Sequence, residues 1–110
     1  MKFQVDTIAH FEREAKRLKK RFPSLKSEID NLIGVLEENP ETGPPLGNGF
    51  YKIRLAIRSK GKGKRGGGRV ITYVKVVAET VYLVSIYDKS EKSDMSSDEL
   101  NELLFEIPDK

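Results

Sequence analysis

Ile8, Phe11, Ala15, Leu18 and Phe22 recur at intervals of three or four, and the remaining positions of "EREAKRLKKR" (12–21) are all charged. That period places one apolar stripe along a helix whose opposite face is solvated. Asp6 or Thr7 is the expected N-cap, and Pro23 ends the run because it lacks the amide hydrogen that a continuing helix needs. Ser24 is placed to cap a second helix, whose stripe is Leu25, Ile29, Leu32 and Leu36 and whose end is marked by "NPETGPPLGNG" (39–49). Two amphipathic helices separated by so short a break predict an α-hairpin. Upstream, "KFQVDT" (2–7) alternates weakly and predicts a short strand.

The period then shortens to two. In "FYKIRLAIR" (50–58), Tyr51, Ile53, Leu55 and Ile57 point one way, while Lys52, Arg54, Ala56 and Arg58 point the other. This predicts a half-buried strand with a cationic open face. "RVITYVKVV" (69–77) and "TVYLVSIY" (80–87) predict two further strands, joined by a hairpin at "AE". In "SSDELNELLFEI" (96–107), a serine cap and first-turn acids precede Leu100, Leu103, Leu104 and Ile107 on one helical face; Ser93, Asp94 and Ser96 are the candidate caps. The order β-α-α-β-β-β-α predicts an α/β (α+β) fold: a small antiparallel-rich sheet, two N-terminal helices and one C-terminal helix. A chain of 110 residues is the size of one domain, so residues 1–110 are read as a single unit.

Charge changes the picture. The formal net charge is only +3, but no Asp or Glu occurs from Thr42 to Ala78 while nine Lys or Arg do, which leaves a net −6 elsewhere. A purely basic half points to a polyanion partner. "KGKGKRGGGR" (60–69) concentrates this character between two predicted strands. Gly61, Gly63 and Gly66 match the spacing of a dinucleotide fingerprint, but that motif needs a helix after it, and here a strand follows. The stretch is therefore read as a mobile cationic arm in which Lys60, Lys62, Lys64 and Arg65 neutralise phosphates without reading sequence. Lys52, Arg54, Arg58 and Arg69 extend the same positive surface into the flanking strands.

Few catalytic chemistries fit these residues. There is no cysteine and one histidine, His10, and the basic half holds no carboxylates, so no metal site and no cofactor are expected. No Ser-His-Asp set is suggested either. No signal-type N-terminus and no apolar stretch of roughly 20 residues occur, which predicts a cytoplasmic protein without a membrane partner. RNA offers a route that needs neither metal nor histidine. Its 2′-hydroxyl attacks the adjacent phosphorus, and Lys or Arg side chains stabilise the excess negative charge of the transition state. A lysine crowded by like charges also sheds its proton more easily. "YDKSEKSDMS" (87–96) brings Tyr87, Lys89, Lys92 and Ser93 to the same region if the last strand is central.

"FYKIRLAIRSKGKGKRGGGRVITYV" (50–74) followed by "YLVSIYDKSEKSDMSSDEL" (82–100) resembles the RelE superfamily of type II toxin–antitoxin toxins. More narrowly it resembles the HigB-like branch, with its "KGKGKRGG" loop and Y-x-K-x-E-x-S-D segment. The resemblance implies an endoribonuclease that cuts mRNA in the ribosomal A site and is held inactive by a cognate antitoxin. It assigns phosphate and transition-state charge to Lys52, Arg54, Arg69, Lys89 and Lys92. Contact with the rRNA or mRNA backbone falls to Arg58, Lys60, Lys62, Lys64 and Arg65, with Tyr73 and Tyr87 beside them. RelE places a tyrosine near the start of the last helix as proposed base, where this chain has "SDMSSDE" (93–99). Either a lysine takes that role, or Tyr87 or Tyr73 approaches from another strand, or cleavage is weak. Two alternatives share the resemblance: a ParE-like gyrase poison without RNase activity, and a non-catalytic ribosome- or nucleic-acid-binding module. The antitoxin is expected to cover the basic face with an acidic or amphipathic segment.

Overall fold

The computed structural model describes residues 2–61 and 63–108, the side chain of Lys64 excepted. Strand β1 (Gln4–Thr7) leads into helices α1 (Ala9–Arg21) and α2 (Leu25–Glu38), followed by β2 (Pro45–Gly47) and β3 (Phe50–Leu55). A short helical turn, α3 (Gly63–Gly66), precedes β4 (Gly68–Lys75), β5 (Thr80–Asp88) and α4 (Ser97–Leu103). Single 3₁₀ turns occur at Arg58–Lys60, Val76–Ala78 and Leu104–Glu106.

The five strands lie in the order β1-β5-β4-β3-β2, with β1 parallel to β5 and every other pair antiparallel. Strand β5 is buried along its whole length, which is why "TVYLVSIYD" is almost continuously apolar instead of alternating. β1 pairs only as far as Leu83. Beyond it, Ile86 N and Ser85 Oγ donate to the Glu14 carboxylate of α1 at 3.0 and 2.7 Å, so the exposed edge of β5 is satisfied by a side chain. α1 and α2 bury Phe11, Ala15, Leu18, Leu25, Ile29, Leu32 and Leu36 in one cluster with Ile53, Val70, Leu83 and Ile86. α4 adds Leu100 and Leu103.

The helices and strands follow the hydrophobic period, with informative differences at their ends. The expected cap at Asp6 or Thr7 does not form; Ile8 holds the N-cap position without a side-chain bond, and the Thr7 hydroxyl donates to Glu12 instead. Ser24 precedes α2 but gives it no side-chain cap, because its hydroxyl serves Glu28 and Ser59. Ser96 does cap α4, in a reciprocal box with Glu99. β4 stops at Lys75, leaving Val76 and Val77 exposed in a turn closed by Glu79 at φ 49°. β2 was not foreseen, since Pro-Leu-Gly carries no alternation.

The larger correction concerns 56–67. β3 ends at Leu55, and the chain folds back against α2 where a free arm was expected. Arg58 N donates to Glu28 at 2.7 Å, its guanidinium to Ser27 at 2.9 Å, and Ser59 N to Ser24 Oγ at 3.0 Å. Lys60 is nearly buried: its ammonium pairs with Asp88 and donates to the Gly66 carbonyl at 2.6 Å and to Ser90 Oγ at 3.4 Å. Arg69 donates to the carbonyls of Gly68 at 2.9 Å and Arg65 at 3.1 Å, closing the turn from the other side. Gly67 completes the closure, its carbonyl accepting from Lys89 N at 3.1 Å. A Cβ on Gly67 would press into the Leu55 carbonyl and come within 2.9 Å of the Gly63 oxygen.

Gly67→Ala should therefore destabilise the fold by about 1–3 kcal/mol. Gly34→Ala, in the open interior of α2 with nothing within 4 Å, should stabilise it by about 0.5–1 kcal/mol. Urea unfolding of the two variants reads both signs, and equal effects would refute the packing around Gly67.

Burial alone pushes the Asp88 carboxyl up, but the hydrogen bonds from Lys60 and Ser90 outweigh it and hold the group below its ordinary value of 3.8. Asp88→Asn leaves Lys60 desolvated against no charge and should cost about 3 kcal/mol at neutral pH. The wild-type advantage is full above 3.8 and fades as pH falls through the lower, folded value. Urea curves for the two proteins at descending pH should converge in acid; a gap of constant size would mean that the loss is not electrostatic.

Candidate nucleic-acid interface

Register places three of the sequence-selected side chains in one row. Arg54 on β3 lies opposite Arg69 on β4, which lies opposite Tyr87 on β5. With strands about 4.8 Å apart, the row is about 10 Å long. The next row on this face is Lys52, Ile71 and Ser85. A bulge between Ile71 and Thr72 then lets Tyr73 and Tyr82 share the face despite the three-residue step from Ser85 to Tyr82. The opposite face carries Ile53 and Val70 and belongs to the core under α1 and α2.

The chain after β5 supplies the remaining groups. Lys92 pairs with Glu99, and Asp94 reaches back to Lys52 at 3.5 Å. Asp94 is also the neighbouring carboxylate that acts most strongly on Tyr87. Burial first, then the Asp94 charge, pushes the Tyr87 phenol above its ordinary value of 10.0, against the opposing pull of Arg69. The Tyr87 hydroxyl is buried and has no hydrogen-bond partner among the described residues. Glu99 is held below its ordinary value of 4.5, chiefly by the hydrogen bond from Lys92 and then by Ser96 N–H.

The predicted residues separate into groups. Lys52, Arg54, Arg69 and Tyr87 lie in the two rows, Lys92 lies on the chain after β5 in a cleft with His10, Glu14 and Glu99, and Lys89 lies half-buried just past the end of β5. Arg54 is exposed and makes no ion pair among the described residues. Arg69 is 4% exposed, so its guanidinium is part of the loop closure as well as of the row. Arg65 is exposed on α3. Lys60 is not an outward phosphate ligand, because Asp88 and Gly66 bury its ammonium. Arg58 turns to α2 and meets Glu28 at 3.5 Å. Tyr73 stands away from the Arg54–Arg69 row, packed at a tilt against Phe50 with ring centroids 5.1 Å apart and lining a small cavity with Lys75, Leu104 and Ile107. Lys62 and the Lys64 side chain lie outside the described residues.

Sequence reasoning missed the acids. Glu28, Asp88, Asp94 and Glu99 each meet a cation that had been read as free, at separations of 30, 28, 42 and 7 positions. Only the last was signalled locally, by the Ser-x-x-Glu box at Ser96. A second concavity, an apolar groove of about 750 Å³, runs between α2 and β3, with Leu32, Val35, Ile53 and Leu55 in its walls and Lys52 and Arg54 among its lining residues.

Residues 8–106 match the family described as the RelE toxin of the RelE/RelB toxin–antitoxin system. The fold is similar to that of a mutant of the E. coli toxin RelE in the free state, with a TM-score of 0.64 at 16% identity, covering 98% of this chain and 100% of that one. It is also similar to the structure of the RelBE2 toxin–antitoxin complex from Mycobacterium tuberculosis, with a TM-score of 0.58 at 17% identity, covering 86% and 95%.

Proposed function

Because the chain belongs to the RelE family of toxin–antitoxin toxins, we propose that it is a metal-independent endoribonuclease that cleaves mRNA on the ribosome and is silenced by a cognate antitoxin. The observation that carries this reading is the register row Arg54–Arg69–Tyr87, with Lys52 in the next row of the same sheet face. Attack by the 2′-hydroxyl, which gives up its proton to solvent water, forms a bond to the neighbouring phosphorus as the bond to the 5′-oxygen breaks; that oxygen takes up a proton, leaving a cyclic phosphate and a 5′-hydroxyl. Charge builds on the nonbridging oxygens, where fixed guanidinium and ammonium groups stabilise it more than they stabilise the ground state. Arg54 and Lys52 approach from β3 and Lys92 from the chain after β5, while the buried Arg69, bonded to the Gly68 and Arg65 carbonyls, fixes the middle of the row. The Tyr87 hydroxyl is buried and its phenol is held above its ordinary value by burial and by Asp94, so it supports the row and the departing oxygen takes its proton from solvent.

The antitoxin reading uses the second concavity. An amphipathic segment lying in the α2–β3 groove puts its apolar side on Leu32, Val35 and Leu55 and brings its acids to Lys52 and Arg54. Inhibition then follows from occupancy of the same cations that serve RNA.

The discriminating variant is Arg54→Ala. Arg54 is exposed and holds no other part of the fold together, whereas Arg69 also ties down the Gly-rich loop. Purified protein added to programmed ribosomes should generate new mRNA ends by primer extension. Arg54→Ala should slow their appearance about a hundredfold with unchanged thermal stability. Intact mRNA with wild-type protein, or a variant that cuts at the wild-type rate, would refute the assignment. Gyrase-linked DNA breaks in place of RNA ends would favour the ParE-like alternative.

A further inference from the structure

Two cations of the proposed RNA face already hold an anion. Lys52 Nζ lies 3.5 Å from Asp94 Oδ1, and Lys92 is paired with Glu99. Both carboxylates come from the chain after β5, and both are fixed in place. Asp94 accepts from Met95 N at 2.9 Å, and Glu99 accepts from Ser96 N at 2.9 Å within the capping box. Neither pair is sealed from water: the side chains are 26% and 62% exposed for Lys52 and Asp94, and 37% and 45% for Lys92 and Glu99. Pairs this accessible are weak and exchange readily. They contrast with Lys60 and Asp88, whose pair is closed inside the fold.

We propose that Asp94 and Glu99 are built-in phosphate mimics that occupy the anion positions on Lys52 and Lys92, so that an RNA strand binds by displacing them. This rests on the RNA-cleaving reading above and adds a control to it. A phosphodiester and a carboxylate carry the same charge, so swapping one for the other at one lysine gains little. The exchange becomes favourable when several phosphates on one fixed path engage Lys52, Lys92 and Arg54 together, since the later contacts are then intramolecular. Loose RNA meets two occupied sites and one open one. A strand held extended, as on the ribosome, meets all three in register. The mask thus lowers affinity for stray RNA more than for presented RNA.

The test is binding of an unstructured, fluorescently labelled single-stranded RNA at low salt, without ribosomes. Asp94→Asn keeps the oxygen that accepts from Met95, and Glu99→Gln keeps the capping box, because glutamine serves at that position as well as glutamate. Each should tighten RNA binding about two- to fivefold. The gain from Asp94→Asn should vanish in a Lys52→Gln background, and that from Glu99→Gln in Lys92→Gln. Asp98→Asn removes a charge from the same helical turn but touches no described cation, so it should leave affinity close to wild type. Gains that survive the lysine substitutions, or an equal gain from Asp98→Asn, would reduce the effect to net charge and overturn the mask. Variants that bind as the wild type does would overturn it too, with the RNA reading intact. If no form of the protein binds RNA at any salt, the RNA reading itself fails and the mask with it.

Discussion

Lys60 and Asp88 form an ion pair that joins the end of β5 to the connection between β3 and β4, with Asp88 fully buried and Lys60 nearly so. Two charges removed from water cost desolvation that their pairing and other hydrogen bonds must offset. Here Lys60 donates to Gly66 and Ser90, and Asp88 Oδ1 accepts from the backbone and hydroxyl of Ser90, while Oδ2 has no hydrogen-bond partner among the described residues and meets only the Arg21 guanidinium at 3.8 Å. The pair acts mainly through geometry, and the site is built on the result. It draws the described residues on either side of position 62 toward the end of β5, so Arg69 can bond the Arg65 carbonyl. It also starts the chain after Asp88 in the direction that returns Asp94 to Lys52, beside the Arg54–Arg69–Tyr87 row.

The elements with a clean period were legible from the sequence, because one side chain after another reports the same buried face. Leu18, Leu25 and Leu36 mark α1 and α2, and Leu100 and Leu103 mark α4. The alternation around Ile53 marked β3 and put Lys52 and Arg54 on the same side, which is where the row formed. Membership of the row needed more. Arg69 meets Tyr87 because β4 and β5 pair in that register, a tertiary fact with no local signal. β2 escaped notice because three residues with Pro and Gly have no period to read.

The glycine-rich loop was misread for a definite physical reason. Five glycines and five cations make a flexible, charged segment in isolation, and its composition alone argues against packing. What packs it lies elsewhere: Ser24 and Glu28 at the start of α2, and Asp88 at the end of β5. Cations and acids separated along the chain were brought together by the fold. Charge segregation along the sequence therefore overstated the free positive surface. Arg54 and Arg65 retain the exposed, unpaired character expected of the whole stretch, among the described residues.

A face built to hold a polyanion has to exist without one for much of the protein's life. Clustered like charges oppose the compact state, so a site such as this is under electrostatic strain whenever RNA is absent. Acids borrowed from other parts of the chain relieve that strain in two ways, which differ in depth. Asp88 does so inside the fold, where the pair cannot open without loosening the loop. Asp94 and Glu99 do so at the surface, where water already reaches both partners and a phosphate can take the carboxylate's place. The first arrangement withdraws Lys60 from recognition and makes it a support; the second leaves Lys52 and Lys92 available at a reduced affinity. Depth of burial thus sets Lys60, which shapes the site, apart from Lys52 and Lys92, which stay open to RNA.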